Sequence, residues 1–375
     1  MRQLPTLRIQ DEGRKEVDLI LSATERKIYD IYRRAAISLR NKAERYFRTF
    51  QAEDQQRAQA VADGRLSAED YARWRISHMA TGRRWYEAAE TMAANMTNYN
   101  QIAASTYGKT LPEVYAIGYN YTLYQAEQQA GFYTSFTMFD INTVERLIEE
   151  TPDLLPQPKI DIPKDEAWNK KIIVSEVTQA ILQGETIDQL ANRLAVKCAG
   201  MNERAAVRNA RTAYTSAENG GRMRGHKELT DAGIRMRKTW VATLDAVTRE
   251  SHRWVDGETL DDPDAEFSNG LLYPGDPAGE PEEVYNCRCT MISTYKGVDP
   301  DIMRGSRSGT FRVGREYGDF RTTTYKEWKG EKRRQEEKQR ERVNPDNPSY
   351  GYSGRNPATV YIDSEEPAKK RRKKK

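Results

Sequence analysis

Between Ser22 and Ala62 the apolar residues Ile28, Tyr32, Ala35, Leu39, Ala43, Tyr46 and Phe50 return at steps of three and four, with Arg, Lys and Glu between them. That spacing lines one face of a helix, and no strand could present these side chains together. Asp63-Gly64 ends the run. Ser67, followed three residues later by Asp70, has the pattern of a capping box and opens a second long helix toward Tyr107, carrying Trp74, Met79, Trp85, Ala89 and Met92. Pro112 suits the first turn of a third helix. Around it crowd Tyr115, Tyr119, Tyr121, Tyr124, Phe132, Tyr133, Phe136 and Phe139. Such density belongs to helix–helix packing. It also exceeds what one small bundle needs, so the stretch from Tyr99 to Phe139 predicts an exposed stripe for a protein partner.

Residues 151–163, TPDLLPQPKIDIP, hold four prolines, which block helix and central strand alike and predict a linker. Three shorter helices are expected after it: 164–183, ended by Gly184; 186–197, with Thr186 as N-cap; and 201–229. At Gly233 the period changes. Residues 233–246 alternate Ile234, Met236, Lys238 and Trp240 against Arg235, Arg237, Thr239 and Val241, a strand pattern, and NCRCTMISTYK (286–296) reads as a second strand. The fold class is therefore α+β: an all-α helical domain over 1–150, the linker over 151–163, and an α+β domain over 164–296. Residues 297–375 read as an extended or disordered tail with a short strand at 310–314. A solvated, mixed-charge helix near 324–342 has Trp328 as its main apolar anchor.

With 37% hydrophobic and 31% charged residues, much of the chain must be surface helix or tail. Three cysteines cannot build a disulfide framework, which points to a reducing compartment. No secretory apolar segment and no run of 18 apolar residues is present, so neither a cleaved signal nor a membrane span is expected. The net charge of +4 conceals an asymmetry. Lys369, Lys370, Arg371, Arg372, Lys373, Lys374 and Lys375 are all basic, so the remainder sums to 4 − 7 = −3. Such a block repels itself and suits a polyanion, which makes double-stranded DNA, bound without sequence preference, the expected partner of these seven residues.

The chemistry-bearing residues gather between 245 and 289. On a strand, Cys287 and Cys289 share a face with Met291 and act as small buried apolar residues. The other reading is a metal site of His252, Cys287 and Cys289, with Asp245 or Asp256 as fourth donor, although C-x-C converges less well than C-x2–4-C. The strand reading is preferred, so no metal and no cofactor is expected. No serine, cysteine or carboxylate stands at a spacing from His252 that names a reaction, and no phosphate-loop, dinucleotide-binding or H-E-x-x-H pattern occurs. Arg249, Asp256 and Gly257 fix the loop. The chain reads as a non-enzyme.

Three stretches, ARTAYTSAENGGRMRGHKE (210–228), GIRMRKTWVATLDAVTRESHRWVDGE (233–258) and YPGDP…NCRCTM (273–291), together resemble the phage Mu F-type minor head proteins, also called phage head morphogenesis proteins. The matching positions are Arg211, Thr212, Trp240, Asp245, Ser251, His252, Asp256, Gly257, Tyr273, Pro274, Gly275, Asp276, Asn286, Cys287, Arg288 and Cys289. Ala213 departs from the pattern, where an acidic residue commonly follows Arg-Thr. The resemblance implies a particle component of a tailed bacteriophage, present in few copies. It would associate with the portal protein during head assembly in the host cytoplasm and be retained inside the head. There it would meet DNA and affect packaging or ejection, with major capsid or scaffolding protein as further candidate partners. The alternative it leaves is an enzyme or toxin-like catalytic α+β domain carried in the particle.

Overall fold

The computed structural model describes residues 11–131, 133–296, 301–302, 309–310 and 324–343. Helix α1 (Glu12–Phe47) starts where the Asp11 side chain accepts from the Arg14 N–H at 2.8 Å. It buries Val17, Ile28, Ile31, Tyr32, Ala35, Leu39, Ala43 and Phe47, the stripe read from the sequence with an earlier start. A tight 3-10 turn at Arg48–Phe50 leads into α2 (Gln51–Ala62), and Gly64, at φ +71°, ends it. Ser67 caps α3 (Ala68–Met79) by accepting the Asp70 N–H at 3.0 Å. The single helix expected from there to Tyr107 is two. Gly82, at φ +90°, breaks it, and α4 (Arg83–Gly108) follows.

Helix α5 (Leu111–Ala130) is the centre of the molecule, buried at every position except Glu113 and Ala130. Tyr115, Tyr119, Tyr121 and Tyr124 therefore face neighbouring helices and are not an exposed stripe. The surplus aromatic surface is covered from several sides, which a local pattern does not show. After α6 (Ile141–Glu150), α7 (Ile162–Leu182) and α8 (Ile187–Leu194), a π-helical turn at Ala195–Ala199 leads into α9 (Gly200–Asp231). Thr186 and Gln189 form the reciprocal capping box of α8.

The proline-rich stretch 151–163 is not a spacer between separate cores. One hydrophobic core joins residues of α1, α4 and α5 to residues of α7, α8 and α9, and Leu155, from the stretch itself, is buried in it. α5 and α9 approach backbone to backbone. A Cβ on Gly118 would lie 2.1 Å from the Glu218 carbonyl oxygen, and one on Gly221 2.1 Å from that of Tyr115. Only glycine permits this contact.

The strands form a small antiparallel sheet in the order β2-β1-β3: β1 (Met236–Val241), β2 (Thr259–Leu260) and β3 (Thr290–Tyr295), with Trp240 opposite Met291. A two-residue pair, β4 (Asp301–Ile302) with β5 (Gly309–Thr310), follows. Of the strand expected at 310–314, only Thr310 lies within the described residues. Two short helices, α10 (Glu250–Trp254) and α11 (Pro281–Val284), interrupt the loops of this lobe.

The last helix, α12 (Tyr325–Val343), corrects another expectation. It is packed, not solvated: Tyr325, Trp328 and Lys332 are buried. Trp328 Nε1 donates to Glu127 at 2.5 Å, and Lys332 Nζ lies 2.6 Å from the same carboxylate. One narrow stripe suffices because α5 supplies a buried acid to receive it. No described helix is long and apolar enough to cross a membrane.

Candidate metal centre

One face of α9 shapes the cysteine motif. The Thr212 hydroxyl accepts the Asn286 N–H at 2.9 Å, and the Thr215 hydroxyl donates to the Cys287 carbonyl at 2.7 Å. Asn219 donates to the Cys289 carbonyl at 3.2 Å and accepts the Met291 N–H at 2.9 Å. Positions 212, 215 and 219 share a helix face, so three polar side chains set the backbone path of residues 286–291. That path begins with a turn. Asn286 sits at φ +60°, the one left-handed non-glycine among the described residues, a conformation asparagine tolerates. The two cysteines thus precede β3 instead of alternating along it, and the strand-face reading of Cys287, Cys289 and Met291 is corrected.

The turn aims both sulfurs at one ring nitrogen. His252 Nδ1 lies 3.4 Å from Cys289 Sγ and 3.7 Å from Cys287 Sγ. The three residues are only 2%, 2% and 1% exposed, and their ligand atoms all lie within 4.8 Å of one another. The Cys287 thiol beside it, and after that His252, pull the Cys289 thiol down to about 5. The same pairing and burial push Cys287 well up. On the far side of the ring the Glu283 carboxylate reaches Nε2 at 2.9 Å, off the line of a straight hydrogen bond, and Ser251 donates to both carboxylate oxygens at 2.9 Å. Trp240 packs edge-on against the imidazole at 5.3 Å.

Glu283 is the residue that sequence reasoning missed. It stands 31 positions from His252 on the short acidic helix α11, and only the fold pairs them. The expected fourth donors are engaged elsewhere. Asp245 makes a bidentate pair with Arg288, 2.8 Å at its longer contact, which holds its carboxyl well below the usual range. Asp256 accepts the Ala242 N–H at 3.0 Å, and Gly257 turns the chain at φ +82° into β2. Arg211 is apart from the cluster, paired with Glu25 on α1. Gly275, at φ +80°, presses the Tyr273–Asp276 turn against Ser216, and Ala213 is buried without a carboxylate. Lys369–Lys375 lie outside the described residues.

A buried thiol pair facing an imidazole can hold a soft or borderline cation, but at this burial it cannot meet a bulky substrate. Residues 171–292, which span α7 through the cysteine motif, match the family described as Phage Mu protein F like protein. Over that segment the chain is similar to this family. Over 335 residues it is 23% identical to the Minor head protein GP7 of Bacillus phage SPP1, a match covering 88% of this chain and 99% of that protein. It is also 28% identical over 167 residues to the NAD(+)–arginine ADP-ribosyltransferase EFV of Enterococcus faecalis. That match covers 44% of this chain and spans only 32% of the relative. No solved structure matches the chain significantly. The family segment contains the α9 clamp, the β1–β3 pair and the His252–Cys287–Cys289 cluster together.

Proposed function

We propose that the chain is a minor head protein of a tailed bacteriophage, a structural component and not an enzyme. The carrying observation is its alignment with a minor head protein over nearly that protein's whole length. The finer reading is that it associates with the portal vertex, is retained inside the head, and binds DNA there without sequence preference through Lys369–Lys375. Seven adjacent cations support the DNA contact, because they neutralise phosphates but cannot fix base-edge geometry. For the contact with a head component, the exposed Trp254 and Tyr285 are better candidates than the buried tyrosines of α5.

The test is made on particles of the phage that encodes the chain. The protein should be found in purified particles, protected from protease until the heads are opened. Its absence from finished heads would overturn retention. Gel shifts of the full chain on random duplexes should show a log–log salt slope of about −6 that flattens when residues 369–375 are removed. An unchanged slope would move DNA binding to the body.

A second reading, transfer of ADP-ribose, is favoured only by the partial match to an ADP-ribosyltransferase. Incubating the full chain with NAD+ and an arginine analogue tests it; labelled product above a heat-treated control would establish it.

A further inference from the structure

We propose that His252 Nδ1, Cys287 Sγ and Cys289 Sγ bind one zinc ion, which staples the small sheet lobe together. The geometry is that of a tetrahedral ion's ligand shell. Zinc–sulfur and zinc–nitrogen bonds of about 2.3 and 2.05 Å place a sulfur and a nitrogen ligand about 3.6 Å apart around a tetrahedral centre. The observed separations are 3.4 and 3.7 Å.

Four further features belong to a metal site and have no place in an apolar pocket. First, polar atoms converge. Three side chains each aim a ligating atom at one buried point, where carbon would be the better filling. Second, backbone amides stand beside the sulfurs, that of Cys289 near Cys287 Sγ and that of Thr243 near Cys289 Sγ. Third, the outer nitrogen of the ring faces a carboxylate. Glu283, itself held by Ser251, orients the imidazole so that Nδ1 is the free ligand. Fourth, the C-x-C segment is bent by Asn286 and pinned by α9, which removes the objection that such spacing on a strand cannot converge.

Two thiolates neutralise a divalent zinc ion, so the loaded site is uncharged and compatible with burial. Thiolate with imidazole suits zinc over magnesium or calcium, which take oxygen ligands. No fourth His, Cys, Asp or Glu joins the group among the described residues, so the last tetrahedral position falls to water or to a donor outside it. The gain is mechanical. The core of this lobe is small, built from Trp240, Phe267, Leu271 and a few smaller residues, and the ion would tie α10 to the entry of β3.

The experiment uses the full chain, untagged and purified without chelator. Elemental analysis should find about one zinc per chain. Exchange for cobalt(II) should give thiolate-to-cobalt charge-transfer bands and visible tetrahedral absorption. Cys287→Ser and Cys289→Ser should lose the metal, whereas Cys198→Ser, a buried cysteine outside the group, should keep it. Glu283→Gln removes no ligand and should weaken zinc binding by about 10- to 100-fold. Should the cysteine variants not fold, the cobalt spectrum of the unaltered chain still decides. A folded chain that stays metal-free when zinc chloride is added overturns the proposal, whether its cysteines are thiols or a disulfide by mass. So does zinc that gives no thiolate bands after cobalt exchange.

Discussion

The α5–α9 pair and the β1–β3 lobe are held by opposite means. The helices meet through glycines, close enough that backbone touches backbone, and their flanks are filled by tyrosine, alanine and aliphatic side chains. The lobe has a short apolar list, and its loops are positioned by single polar side chains: Thr215, Asn219, Lys238, Asp256 and Glu283. Lys238 is buried in β1, where its ammonium donates to the Pro263 and Leu272 carbonyls at 2.8 and 3.1 Å. Packing tolerates no added volume, whereas polar anchoring tolerates no lost partner. Substitutions should therefore fail in different ways on the two sides.

The boundary between them should be the most sensitive place. Arg222 Nη2 of α9 donates to both Asp11 oxygens and to Glu218 at 2.9 Å, and its Nη1 donates to the Met291 carbonyl of β3 at 3.3 Å. Arg14 pairs with the other oxygen of Glu218. Burial opposes charge on Glu218, but Arg14 and Arg222 outweigh it and keep the carboxyl below its usual value. Glu218→Ala leaves Arg14 and Arg222 buried with only Asp11 and the partly exposed Asp18 as counter-charges, an expected loss of about 4 kcal/mol. Urea unfolding measures it. A loss below about 1 kcal/mol, the range of a surface pair, would mean that the cluster carries no stability.

Within the helices, Gly221→Ala should cost about 3 kcal/mol, because the atom it meets is a backbone oxygen that cannot swing away. Gly200→Ala is the internal control. Its Cβ would meet only the tip of Arg204 at 3.6 Å, so better helix propensity should leave stability equal or slightly raised. Equal losses at the two positions would reduce the close approach to a general intolerance of alanine.

How much of this could be read in advance follows the same division. Local stops and starts were legible because each is a short-range bond: Ser67 and Thr186 as caps, Gly64 and Gly184 as ends, and Pro112 in a first turn. The helix-to-strand change at Gly233 was legible for the same reason. What depended on a distant partner was not. Gly220-Gly221 reads as a weak point in a helix until α5 is laid against it. The burial of Tyr325, Trp328 and Lys332 needs Glu127 from 200 residues earlier, and the pairing of Glu283 with His252 needs the folded loops. The cysteine motif lies between these cases. Its alternation suggested a strand, yet Asn286 carried the turn signal just ahead of it.

Asn219 tests polar anchoring in the lobe. Asn219→Ala removes the acceptor of the Met291 N–H and the donor to the Cys289 carbonyl, both buried, at an expected cost of about 2 kcal/mol. Amide exchange should accelerate at Met291 and along β3 while α4 and α7 keep their protection. Uniform acceleration would show that lobe and helices open as one unit.

The smallest effect is a pH dependence that crosses between the two regions. His226 of α9 is fully buried, with Nδ1 3.0 Å from Ser293 Oγ of β3 and Nε2 without a hydrogen-bond partner among the described residues. Burial first, and then the Lys238 ammonium, lower its pKa to about 4. In the unfolded chain the ring takes up a proton below about 6.5, whereas in the folded chain it stays neutral until about 4. The unfolded state therefore binds more protons across that window. The contribution is fully present above pH 6.5 and is lost as pH falls through 4. At pH 5.5 the loss amounts to about 1.4 kcal/mol. His226→Gln removes the titration, so its melting temperature should fall less steeply between pH 6.5 and pH 4 than that of the unaltered chain. Parallel curves would mean that the ring is already charged, or solvated, between α9 and the sheet.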